Sequence, residues 1–138
     1  LENAEILRYG VVHRNTYFNS PKILNNGFSF KEYPNLYLAG QIAGVEGYVE
    51  SAASGIAAAI SLYSKLTNGY DISLPETTII GSLSKYVSTP NSNFVPMNAN
   101  FGIVPILEEK VRKKERREAY AKRALDTLEE FKKENKWI

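Results

Sequence analysis

The 138-residue chain has no cysteine, one histidine and one tryptophan. Without cysteine there is no disulfide scaffold, no zinc finger, no iron–sulfur ligation and no thiol nucleophile. His13 alone cannot assemble a histidine metal cluster, so no metal site is expected. No apolar stretch approaches the roughly 18 to 20 uncharged residues of a membrane span, and the N-terminus lacks the basic start and apolar run of a signal peptide. A soluble, untargeted, cytoplasmic protein without membrane contact is the expectation. The chain begins at Leu1 rather than Met, which leads us to expect a segment cut from a longer chain.

Hydrophobic residues make up 43% of the sequence, enough for one core without a structural metal. The net charge of +2 is unevenly spread. Between residues 110 and 123, Lys110, Arg112, Lys113, Lys114, Arg116, Arg117, Lys122 and Arg123 face only Glu115 and Glu118, a local excess of six positive charges. Such a stripe is either a solvated helix face or a contact for a polyanion. It lacks the large apolar residues that would insert into a membrane.

Four blocks separate by composition. Residues 1–35 read as extended or irregular, with short extended pieces at 6–12 and 16–18 and turn chemistry at Pro21 and at Asn25, Asn26 and Gly27. Residues 36–69 read as a strand, loop and helix unit: a buried strand at 36–39, a glycine-bearing loop at 40–47, and a helix over 48–66. That helix is rich in Ala and Ser and reads as buried, ended by Asn68 and Gly69. In residues 73–105, Ser73 and Glu76 fit a capping box with Pro75 in the first turn, which predicts a helix over 74–88 with Ile79, Ile80, Leu83, Tyr86 and Val87 on its apolar face. Its remainder, with three prolines and four asparagines over 89–105, reads as an ordered, irregular loop. Residues 106–138 read as a basic C-terminal helix, running from Ile106 to about Lys133.

The loop at 40–47 is the sharpest local feature. Gly40, Gly44 and Gly47 allow positive backbone dihedrals, and the unpaired amides opening the following helix attract negative charge. The spacing is neither a dinucleotide G-x-G-x-x-G nor a P-loop, so tight packing and a ligand site both remain open. Glu46 and Glu50, near the helix start, suit its dipole without acid–base work. His13 reads either as a hydrogen-bonded structural residue or as a group near a substrate. Tyr86, Phe94 and Phe101 read as core or as stacking platforms for bases.

The run from Leu36 to Gly55, LYLAGQIAGVEGYVESAASG, resembles the flavin-contacting C-terminal motif of the TrmFO family of folate- and FAD-dependent tRNA (uracil-5-)-methyltransferases. RYGVVHRNT at 8–16, PMNANFG at 96–102 and KKERRE at 113–118 accompany it in the order that family shows. A wider relative, the GidA-type tRNA-modifying flavoprotein, has a similar glycine-rich segment without the GVEGY sequence. The resemblance implies an α/β fold, the C-terminal part of a Rossmann-like FAD-binding domain, mostly helical in isolation with one or a few short strands. It implies a parent enzyme that methylates uracil C5 in the tRNA T loop, with FAD, 5,10-methylenetetrahydrofolate and NADH or NADPH.

On the same resemblance, Gly40, Gln41, Gly44, Val45, Glu46, Gly47 and Tyr48 would contact the flavin, and Arg14, Lys113, Lys114, Arg116 and Arg117 would contact tRNA. The family's N-terminal FAD loop and catalytic cysteines are absent from this sequence. No catalytic residue is therefore expected here, and an inactive chain with at best weak flavin binding is. Its expected partners are tRNA and the missing N-terminal part of the same chain. Self-association is expected through exposed strand edges and the Ala-rich face. The alternative readings are a non-enzymatic nucleic-acid-binding module using the basic helix and a GidA-type tRNA-modifying flavoprotein.

Overall fold

A tight turn at residues 25–29 is the centre on which the helices pack. The computed structural model describes Glu5 and residues 16–135. The extended piece expected at 6–12 lies outside them, as do His13 and Arg14. A single helical turn, α1 (Ser20–Ile23), with Pro21 in its first turn, leads into the 25–29 turn. There Gly27 takes φ 97° and Phe28 φ 74°, a left-handed conformation bulky residues rarely hold. That backbone costs about 1–2 kcal/mol. Burial offsets it, because Phe28 is fully enclosed with Val45, Ala57, Ala58, Leu83 and Val87, worth roughly 1.5–3 kcal/mol for a side chain of this size.

Serines satisfy the polar atoms around this turn. Gly27 N donates to Ser84 Oγ (2.9 Å), and Ser84 Oγ donates to Asn26 Oδ1 (2.7 Å). A methyl at Gly27 would lie 2.9 Å from Ser61 Oγ and 2.8 Å from the Ile72 carbonyl oxygen, so glycine is what allows the approach. The small residues of α2 (Tyr48–Asn68) serve this contact: Ser54, Ala57, Ala58, Ser61 and Ser64 form its buried stripe. Burial of α2 is one-sided, however, since Val49, Ala52, Ile56, Ala59, Tyr63 and Leu66 on its other side are exposed. Gly69 at φ 83° ends the helix as expected, its N–H reaching the Lys65 carbonyl at 3.0 Å.

Three sequence expectations need correction. Residues 36–39 are extended but form no strand of their own and are not buried. They make antiparallel contact with the turn through the Ser29–Tyr37 bridge and the bonds Phe30 N to Leu36 O (2.8 Å) and Leu38 N to Phe28 O (3.0 Å). Leu36 is exposed and residues 37–39 are half-buried. The turn at Pro34 and Asn35 on one side and Gly40 at φ 73° on the other leave no length for a ladder. Among the described residues the fold is therefore mostly helical, with isolated bridges in place of a sheet.

The second helix, α3 (Ile79–Ser88), starts five residues later than expected and is capped by Thr78, whose side chain accepts from Gly81 N at 3.0 Å. Proline disfavours a helical conformation in the residue before it, so Leu74 cannot be the first helical residue. Pro75 instead opens a turn in which its carbonyl accepts from both Thr78 N (2.9 Å) and Thr78 Oγ1 (2.7 Å). The expected apolar face holds: Leu83 and Val87 are buried, with Ile79, Ile80 and Tyr86 packed beside them. The last helix, α4, covers Arg116–Asn135 and not the residues from Ile106. Like charges at 110, 113, 114 and 117 would stand one turn apart in a longer helix, opposing the positive end of its dipole. The chain there forms a turn, with Glu115 N donating to the Arg112 carbonyl at 3.0 Å.

No residue of α4 is buried. It is tied down by the Phe101–Tyr120 ring contact (5.1 Å) and by Arg123, which donates to the carbonyls of Pro105 (2.6 Å) and Ile106 (3.0 Å). No helix among the described residues is long and apolar enough to cross a membrane.

Asp71 latches these parts together just after α2. Its carboxylate accepts from Tyr37 Oη, from Ser29 Oγ (3.1 Å) and from Ser61 Oγ (3.4 Å), and it pairs with Lys65 (3.4 Å). Burial, then the hydrogen bond and negative charge of Asp71, push the Tyr37 hydroxyl up to about 12. A phenol that ionises later in the folded than in the unfolded chain contributes stability that is intact below pH ~10 and lost as pH rises through ~12. Urea unfolding across that window should therefore show a decline that Tyr37→Phe reduces, while Tyr37→Phe lowers stability at neutral pH by about 1.5 kcal/mol.

Candidate functional site

The segment joining residues 36–39 to α2 is held from both sides. Gly40 N donates to Ser54 Oγ at 2.7 Å, and that hydroxyl donates on to the Ser51 carbonyl at 2.7 Å, which fixes the loop to the first turns of the helix. Residues Gln41–Ala43 form one 3₁₀ turn, and Phe18 N donates to the Ile42 carbonyl at 3.0 Å. Val45 then pairs in parallel with Met97, through Met97 N to Gly44 O and Glu46 N to Met97 O, both 3.0 Å. The Val45 side chain is fully buried in the core, so only its main chain faces the loop.

The three glycines share a positive φ and differ in what surrounds them. Gly40 and Gly47 hold φ 73° and 95°. Gly44 holds φ 86° and also touches Phe94: a methyl there would sit 2.5 Å from the ring. Phe94 in turn meets Tyr17 edge-on (6.1 Å) and Tyr86 (5.6 Å). Backbone conformation thus favours glycine at all three positions, and the Phe94 ring adds a packing reason at Gly44.

After Gly47 the loop opens. No side chain caps α2, and the first amides of a helix have no acceptor within it. Tyr48 at its first position is 99% exposed, and Tyr17, Phe18 and Ile42 add an exposed apolar rim. The positive end of the helix dipole therefore faces solvent. Glu50 moderates it: the carboxylate lies back over Gly47, while its Oε1 accepts from Ala99 N at 3.2 Å. An apolar hollow of about 410 Å³ lies alongside, between α2 and α3, walled by Val49, Ala53, Ile79, Ile80 and Leu83. Unpaired amides at a helix start can donate to an electron-rich carbonyl edge or to an anion, and the Glu50 carboxylate beside them disfavours added negative charge.

The structure thus brings Gly40, Gln41, Gly44, Val45, Glu46, Gly47 and Tyr48 into one loop, with Tyr48 outermost. Lys113, Lys114, Arg116 and Arg117 are exposed at and before the start of α4. Two features of the site carried no sequence signal: Phe94 against Gly44, and the Glu50 link to residue 99. No group of three or more potential metal ligands occurs among the described residues.

Residues 1–69 match the family model described as glucose inhibited division protein A, GIDA. The chain is 54% identical over 136 residues to methylenetetrahydrofolate--tRNA-(uracil-5-)-methyltransferase TrmFO of Staphylococcus aureus strain Newman, a match covering 96% of this chain and 31% of that protein. Proteins of the same name from strains N315 and bovine RF122 / ET3-1 match to the same extent. The chain spans about a third of the length of these curated relatives.

The surroundings of the glycines give distinct costs. Gly40, at φ 73° and ψ −157°, sits in a region held almost only by glycine, so Gly40→Ala should lower stability by about 1–3 kcal/mol for its backbone alone. Gly44→Ala adds displacement of Phe94 and should cost about 3 kcal/mol or more. Phe94→Leu in the Gly44→Ala background should recover part of that loss in urea titration, and no recovery would contradict the packing contact.

Proposed function

The chain belongs to the glucose inhibited division protein A family, GIDA, and from that premise we propose that it forms the flavin-contacting C-terminal part of a tRNA-modifying enzyme. The observation that carries this reading is the identity to TrmFO over 96% of the chain, coupled with an uncapped, exposed helix start inside the matching segment. The reaction is methylation of uracil C5 in the tRNA T loop, with 5,10-methylenetetrahydrofolate as carbon donor and NADH or NADPH as electron source, in the cytoplasm. FAD, held in a Rossmann-like domain, would supply the electrons that convert the transferred methylene to a methyl.

The residues present fit one edge of the flavin. The amides of Gly47, Tyr48 and Val49 would donate to its pyrimidine carbonyl side, and Gly40 and Gln41 would border the ring. Negative charge developing at that edge is stabilised by the helix start, by about 0.3–1 kcal/mol if exposed and up to ~2 if partly buried. Glu50 tempers this, because its carboxylate adds negative charge at the same tip. Glu46, whose N–H is bound to Met97, would act through the position of its backbone. Val45 would contribute by anchoring the loop in the core. No residue of this chain is assigned a catalytic step.

The exposed side of α2, from Val49 to Leu66, would be covered by polypeptide corresponding to the rest of the relatives' length. Arg14, Lys113, Lys114, Arg116 and Arg117 would meet tRNA phosphates, a contact that carries affinity without base information.

A segment exchange tests the proposal. The 138 residues replace the matching segment of the Staphylococcus aureus protein, and flavin absorbance and methyl transfer from labelled methylenetetrahydrofolate to tRNA are measured. A yellow, active chimera is expected. A folded, colourless chimera overturns the flavin assignment, and one that still binds tRNA favours a non-enzymatic nucleic-acid module.

A further inference from the structure

The segment preceding α4 gathers cations that the fold itself does not use. Six of the eight residues from 110 to 117 are Lys or Arg, and all six are exposed. The ion pairs among the described residues are Lys65–Asp71, Lys85–Glu76 and Lys132–Glu129, none of them in this segment. Cations at a helix start also oppose its dipole, so local stability does not account for them.

A groove of about 570 Å³ runs beside these charges. Ile106, Leu107 and Val111 give it an apolar wall, Lys110 and Arg116 stand at its edge with the ring of Tyr120, and Glu109 is its one acid. Arg123 fixes the groove by binding the carbonyls of residues 105 and 106 while its guanidinium lies 5.2 Å over the Tyr120 ring. Phe101 packs on Tyr120 at 5.1 Å and remains 45% exposed, a ring already held in place on an outer surface.

We propose that this groove is a binding site for one unpaired segment of RNA, with Lys110 and Arg116 on its phosphates and the Phe101–Tyr120 pair stacking a base. The site rests on the tRNA reading above and deepens it. Unpaired cations attract phosphate of any sequence, whereas an aromatic platform selects bases that are out of a duplex. The combination fits the loop of a folded RNA better than a bare double helix.

The test measures fluorescence anisotropy of a short RNA hairpin with an open loop, and of loop-free duplex RNA, on the 138-residue chain over a range of KCl. Lys110→Ala with Arg116→Ala should lower the log–log salt slope for the hairpin by about 1.4, the share of two contacts to a single strand. Lys132→Ala with Lys133→Ala, the same charge removed at the far end of α4, should leave it unchanged. Phe101→Leu should weaken hairpin binding about tenfold without affecting duplex, and Phe101→Tyr should restore it. Equal losses in the two charge variants, equal losses of hairpin and duplex in Phe101→Leu, or no hairpin binding by the parent chain overturn the site. FAD fluorescence quenching on the same proteins separates the two readings. A retained flavin response with no RNA binding overturns this site alone, and RNA binding of the expected pattern supports it whatever the flavin response.

Discussion

The seating of the 25–29 turn between α2 and α3 is the constraint on which the other contacts depend. Phe28 occupies a backbone conformation that would be unfavourable alone, and it is held there because the ring fills the centre of the core. The small side chains of α2 make that possible: Ser61 Oγ and the Ile72 carbonyl oxygen stand where a side chain at residue 27 would have to go. Serine hydroxyls, not further apolar atoms, close the polar positions of the turn. Asp71 then joins the turn, residue 37 and α2 in a single hydrogen-bonded cluster.

This packing decides where α2 points. Ser54 ties the helix to Gly40, and Ser51 ties it to the Val45 carbonyl (3.1 Å), so two hydrogen bonds join the loop to the first turns of α2. A loop so braced presents its helix start in a fixed direction, which lowers the ordering cost of any ligand that meets those amides. The carboxylate of Glu50 sets a limit on the charge that such a ligand brings to the tip.

Much of this was legible in residue types. Tyr33 to Asn35, Asn25 to Gly27 and Gly69 announce turns through their own backbone preferences, and the structure has turns or left-handed caps there. The loop and helix unit was readable because its glycines and small residues leave few alternatives. Residues 36–39 misled because an apolar tetrapeptide reads the same whether it has one extended neighbour or two. The start of α3 turned on competition between two capping residues, settled by the restriction Pro75 imposes on Leu74. Mutual repulsion along residues 110–117 shortened α4 against its apolar spacing. Long-range partners such as Phe94 for Gly44, or Tyr37 for Asp71, leave no trace in local pattern, since they are 50 and 34 residues apart.

We propose that the opening amides of α2 donate to an electron-rich ring edge. Amide chemical-shift mapping of the isotopically labelled chain during addition of riboflavin, which carries the ring without a phosphate, at concentrations high enough for weak binding, is the direct test. The largest shifts are expected on Gly47, Tyr48 and Val49, with smaller ones at Gly40 and Gln41. Shifts confined to the basic segment before α4, or none at saturating flavin, would contradict it.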